Sequence, residues 1–104
     1  MENIVQDLIG VKVLIRSTDS GVHHGILTAV SGSTVRLKNS RRLWEWSTGG
    51  TGISLSEIAI CGIDHAGSKI TMTLPDLVVL SVSEIIPTYG LADATIEGAA
   101  VAKP

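Results

Sequence analysis

The chain has 104 residues, 44% of them hydrophobic and 17% charged, with a formal net charge of −2. That make-up describes one small globular domain, and it excludes a disordered chain and a general duplex-DNA binder, whose affinity rests on many Lys and Arg contacts to phosphate. A single cysteine, Cys61, excludes an internal disulfide and fits the cytosol, while no apolar run approaches the roughly 18 residues a membrane span needs.

Ile4, Val5, Leu8 and Ile9 recur at helical spacing and predict a short helix over 2–9, ended by Gly10. Val11 to Arg16 reads as a strand with Val11, Val13 and Ile15 on one face, and the cluster at 17–21 as a turn. A second strand runs from Val22 to Val30, a hairpin turns at Ser31-Gly32-Ser33, and Thr34 to Lys38 alternates cleanly. Asn39-Ser40 is expected to turn the chain into a strand at 41–46. Ser54 with Glu57 three positions on is a capping-box pattern for a helix that Gly62 ends. Asp64 to Gly67 is expected as a loop and Lys69 to Leu74 as a strand with Met72 inward; Pro75-Asp76 is expected to turn. Leu77 to Val82, nearly continuous in apolar residues, is expected to be a central strand, and Glu84 to Pro87 a last short one.

Six or seven short strands with one or two short helices predict a mainly β domain over 1–87, either a small β-barrel or a strongly curved antiparallel sheet. Residues 88–104 are Ala/Gly-rich and are expected to form a weak helix near 91–99 or to fray.

The functional clue is Arg41-Arg42-Leu43-Trp44-Glu45-Trp46. It holds two of the three aromatic residues; Tyr89 is the third. Strand alternation places Arg42, Trp44 and Trp46 on one face, with Arg41, Leu43 and Glu45 on the other. A guanidinium beside indole surfaces suits a ligand both flat and anionic, as a nucleotide is. Trp and Arg are also enriched at protein–protein hot spots, so a subunit interface is the competing reading and plain packing the third. His23 and His24, adjacent on a strand, face opposite ways and cannot both ligate one metal. His24 shares a face with Val22 and Ile26 and is expected to be hydrogen-bonded and half-buried. His23 shares one with Gly25, where the missing side chain admits a ligand or another backbone, and is expected to contact a phosphate or a base edge. The loop Thr48-Gly49-Gly50-Thr51-Gly52 could offer N–H groups to an anion or act as a lid, but lacks the lysine and order of a P-loop. No G-x-S-x-G, H-E-x-x-H or paired-cysteine motif occurs, so a non-enzyme without metal or cofactor is expected.

The segments Val13-Leu14-Ile15-Arg16, Ser20-Gly21-Val22-His23-His24-Gly25-Ile26-Leu27, Arg41-Arg42-Leu43-Trp44-Glu45-Trp46, Ser54-Leu55 and Glu84-Ile85-Ile86-Pro87 together resemble a family of small phage and prophage proteins over roughly residues 11 to 87. The resemblance implies a phage accessory protein and transfers no activity. The order of strands around Gly21, Gly25, Leu27, Gly32, Val35 and Leu37, with the Glu84–Pro87 ending, is similar in topology to Sm-like and SH3-like barrels, although some forty residues intervene and the Sm-like RNA-contact motifs are missing. The combined expectation is a homo-oligomeric binding protein that sequesters a small anionic nucleotide-like ligand, such as a cyclic nucleotide immune signal. Its ligand set is Arg41, Arg42, Trp44, Trp46, His23, Gly21 and Gly25. A virion or assembly protein with an Arg-Trp interface is the alternative, and a single-stranded nucleic-acid binder the third.

Overall fold

The computed structural model describes residues 4–103; residues 2 and 3 of the expected N-terminal helix, and Pro104, lie outside them. A 3-10 helix at Ile4–Leu8 is followed by β1 (Lys12–Ser17), β2 (Gly21–Ser31) and β3 (Thr34–Glu45). Next come α1 (Leu55–Cys61), a 3-10 turn at His65–Gly67, β4 (Lys69–Ile70), β5 (Leu74–Val79), β6 (Val82–Pro87) and α2 (Gly90–Glu97). The sheet has six strands in the order β4-β3-β2-β1-β6, and β5 pairs with β3 beside β4. All the ladders are antiparallel.

Only Leu80 and Ser81 separate β5 from β6, yet the two strands lie on opposite edges of this sheet. Laid flat, the four strand spacings between them would span about 19 Å at about 4.8 Å each. Three Cα–Cα steps reach at most about 11 Å. The sheet therefore rolls until its edges approach, and it stays open because no ladder joins β5 to β6. The link is pinned at the β1–β2 turn: Ser17 Oγ donates to the Leu80 carbonyl at 2.7 Å and the Thr18 N–H to that of Ser81 at 3.2 Å. The domain is mainly β and strongly curved, the second of the two shapes expected.

Rolling gives the sheet two buried faces, and β1 is buried on both. Val13 and Ile15 pack with Leu27, Val35, Leu37 and Val79 on one face. Leu14 points the other way, where Val22 and Leu43 meet Leu55, Ile58 and Ala59 of α1 and Ile96 of α2. The helices cover a face that would otherwise present aliphatic side chains to water, which explains why Leu14 is as buried as its neighbours.

α1 is capped as its sequence predicts: Ser54 Oγ accepts from the Glu57 N–H at 3.3 Å, and Gly62, at φ +81°, ends it while donating to the Ile58 carbonyl. Elsewhere the expectations need correction. Asn39-Ser40 is no turn. β3 runs straight through it, with Asn39 at φ +52° and the register slipping opposite Gly25, so two residues face one in a β-bulge. Asn tolerates that left-handed conformation. Pro75 and Asp76 lie inside β5, an edge strand pairing only with β3, where a missing N–H costs no ladder bond. The apolar run 77–82 is accordingly not a central strand: it breaks at Ser81, φ +56°, to cross between edges. Regular pairing after the 3-10 turn lasts only for Lys69-Ile70, and Met72 is exposed rather than inward. The weak helix expected near 91–99 forms as α2. No helix among the described residues is long and apolar enough to cross a membrane.

Candidate functional site

The structure divides the Arg-Trp segment between its two faces. Arg41 points to the helix side and is buried, its Nε donating to the Thr71 carbonyl at 2.7 Å. Its Nη1 donates to the carbonyls of Ile96 at 2.9 Å, Glu97 at 3.3 Å and Ala99 at 2.7 Å. These carbonyls lie at and just beyond the C-terminus of α2, where the cation also complements the helix dipole; that of Ile96 accepts the Ala99 N–H as well. Arg41 is a cap. Burial holds its pKa below the ordinary arginine value, though a guanidinium remains charged.

Arg42 points the other way and is half-buried, with no ion pair on its guanidinium among the described residues. It stands directly across the β2–β3 ladder from His23. Trp44, two residues on, is 66% exposed at the point where the β3–β4 register slips. Trp46, expected beside Trp44, instead lies past the end of β3 and packs on the helix-covered core. The alternation fails there because the β3–β4 register slips between Leu43 and Glu45 and the strand stops.

His23 and Arg42 line a cavity of about 240 Å³ together with Ser40, Thr71, Met72, Leu74 and Leu77. His23 Nε2 lies 2.9 Å from the Ser20 carbonyl, and its Nδ1 is buried without a partner among the described residues. Ser40 Oγ, on the same cavity, is likewise buried and unpartnered. Burial lowers the His23 pKa; the Ser20 hydrogen bond opposes this and the Arg42 charge adds to it. The unfolded chain binds a proton that folded His23 resists, so stability is expected to be complete above the ordinary histidine pKa of about 6.5 and to fall as pH drops below it. Urea midpoints at pH 8 and pH 5 check this. An equal fall in a His23→Gln variant would assign the loss to other groups.

The opposite face carries a different cavity, of about 340 Å³, lined by His24, Gly25, Ile26, Asn39, Arg41, Lys12, Thr73 and Glu97. His24, fully buried rather than half-buried, lies with Nε2 2.7 Å from Asp93 Oδ1, which also accepts from Thr88 Oγ1. His24, Asp93 and Glu97 bring three potential metal-ligand atoms within 4.8 Å of one another. Lys12 Nζ pairs with Glu97 at 2.7 Å and Arg41 stands on the same cavity, so cations of the chain already balance these carboxylates. The backbone that approaches Gly25 is Ser40: a Cβ there would come 3.1 Å from Ser40 Cα. Gly21, at φ +80°, makes the β1–β2 turn. The Gly-rich loop folds onto the Glu57 carboxylate, which a Cβ at Gly52 would overlap. That internal anion repels an external one.

Of the expected set, then, His23 and Arg42 come together on one cavity, and Trp44 is exposed on β3 outside its lining. Arg41 and Gly25 belong to the other cavity, Trp46 to the core and Gly21 to a turn. Ser40 and Thr71 escape a reading by periodicity because a bulge and an irregular stretch deliver them. Residues 10–96 match the family described as Domain of unknown function (DUF6948). No curated protein and no solved structure matches the chain.

Proposed function

The chain belongs to the DUF6948 family, and from that premise we propose that it is a non-enzymatic binding protein for a small anionic ligand with a flat ring. One observation carries the reading. A half-buried guanidinium without an ion pair faces a histidine across one ladder at a cavity lined by two residues, His23 and Ser40, each with a buried polar atom that has no partner among the described residues. Buried polar groups are ordinarily hydrogen-bonded, and groups left open at a concave site mark where a ligand completes them. Arg42 holds the anion and the exposed indole of Trp44 stacks on the ring. The cavity is smaller than the roughly 300–1,000 Å³ of drug-sized sites, so it takes one ring or one charged group and leaves the remainder against Trp44. The resemblance of Gly21-Val22-His23 and Arg41-Arg42-Leu43-Trp44 to small phage and prophage proteins gives this binding its biological sense: an accessory protein in the host cytosol that sequesters a cyclic nucleotide immune signal.

Calorimetric titration with a panel of cyclic nucleotides tests the proposal. Micromolar binding is expected for at least one member. Arg42→Gln and Trp44→Ala should each weaken it tenfold or more, from lost charged hydrogen bonds of about 1.5–3 kcal/mol and stacking of about 1–3 kcal/mol. Both residues are outside the packed core, so melting temperatures should stay within about 4 °C. Absence of heat for every member would remove the reading.

A subunit interface is favoured by a separate observation. Met72 and Leu80 are each 61% exposed, and Leu74 and Val78 of edge strand β5 are exposed as well. A homo-oligomer, or a virion assembly contact, would cover them and could wall the cavity. In that case Trp44→Ala changes the sedimentation coefficient rather than the binding heat. Binding of single-stranded nucleic acid is the remaining use of an Arg-Trp surface, and steep salt dependence on oligonucleotides would identify it.

A further inference from the structure

We propose that the occupant of the His23 cavity presents an N–H or O–H donor to His23 Nδ1, close to the anionic group that Arg42 holds. This rests on the ligand-binding reading above and narrows it. The ligand must carry a donor and an anion together, as an amino-bearing nucleobase on a phosphodiester does. A bare phosphate or a carboxylate without a donor leaves the site half satisfied.

The argument runs through the tautomer. His23 Nε2 is 2.9 Å from the Ser20 carbonyl, which can only accept, so Nε2 bears the hydrogen. In a neutral ring Nδ1 is then a bare lone pair. It sits in a side chain that is 1% exposed, with no partner among the described residues. Ser40, also 1% exposed, adds a hydroxyl with no partner on the same cavity. Both residues line one small cavity, and an occupant that reaches these two atoms completes their hydrogen bonding. The charged group facing the ring is Arg42 on β3; β1 presents Ile15, and Ser40, Thr71, Met72, Leu74 and Leu77 bring no charge. Burial and the Arg42 charge both favour the neutral ring. A histidine held neutral beside an arginine is badly suited to donate to phosphate, one of the two contacts expected of it from sequence. It is suited to accept.

The test is the sign of the pH dependence of binding. The probes are 3′,5′-cyclic AMP and 3′,5′-cyclic GMP, whose phosphodiesters do not titrate between pH 5 and 8 and whose bases carry amino donors. Protonation of Nδ1 turns the acceptor into a donor, so affinity should be lost progressively as pH falls from 8 towards the acid limit of the folded protein. His23→Gln, which cannot titrate, should flatten the profile. Binding that tightens towards pH 5 would mean a protonated His23 donating to the anion. That result overturns this inference while leaving the ligand-binding reading intact, and so does wild-type binding with no pH dependence. No binding of either probe at either pH removes the donor assignment, and the calorimetric panel then decides separately whether any anionic ligand binds.

Discussion

Arg41→Met is expected to lower the melting temperature by roughly 12–24 °C. The side chain is buried and reaches four carbonyls, three of them at the end of α2 and the fourth that of Thr71. Methionine keeps much of the aliphatic stem and removes every donor. Hydrogen bonds from a charged group contribute about 1.5–3 kcal/mol each, and some of the abandoned carbonyls regain water, so the net loss is about 3 kcal/mol. In a domain of this size each kcal/mol moves the midpoint by roughly 4–8 °C. Arg41→Lys should recover part of the loss, because an ammonium keeps the charge but cannot fork to both Thr71 and the helix end. Differential scanning calorimetry on the two variants and Arg42→Gln is the check. A midpoint for Arg41→Met within 2 °C of the unsubstituted protein would contradict the cap. If Arg42→Gln were the more damaging of the two arginine changes, the division of labour between them would be reversed.

Gly62→Ala is expected to cost a comparable amount, about 3 kcal/mol, by two routes that add. The residue sits at φ +81°, ψ −166°, a region almost closed to residues with a Cβ and costing about 1–3 kcal/mol to enter. A Cβ there would also overlap Thr95 Oγ1. That hydroxyl joins the helices, accepting from the Ile63 N–H at 3.1 Å and donating to the Ala92 carbonyl at 2.8 Å. Displacing it loosens α2 from α1 and leaves the Ile63 N–H unpaired. Gly32→Ala is the control, since Gly32 also has positive φ, but a Cβ there meets nothing within 4 Å. Denaturant midpoints should place Gly62→Ala well below Gly32→Ala. Equal losses would mean that backbone strain accounts for everything and the Thr95 contact for nothing.

These two residues also mark what a sequence can disclose. Gly62 was legible because a capping serine and a terminating glycine are local devices, readable within the nine residues from Ser54 to Gly62. The inward alternation of Val13 and Ile15 and the opposed faces of His23 and His24 were legible for the same reason. Arg41 was not. Nothing near it announces that a helix fifty residues later ends against its side chain, so a guanidinium that caps reads like one that binds. Trp46 escaped because alternation holds only while the strand lasts. The bulge at Asn39-Ser40 has the composition of a turn, since Asn serves both. The run 77–82 looked central by composition, whereas its place on an edge is set by a crossing that no local pattern encodes.

That crossing has a consequence for how the chain reaches its fold. β1, β2 and β3 form a meander through short connections, so their pairing involves neighbours in sequence and is fast. The β1–β6 ladder joins residue 13 to residue 87 and must wait until the whole intervening chain is in place. Until then the outer edge of β1 is an unpaired template of alternating backbone donors and acceptors flanked by Val13, Leu14 and Ile15, the kind of segment that recruits other chains. Lys12 and Arg16 bracket it. Their place at its ends is that of gatekeepers, protecting a nascent strand during the interval before its partner arrives.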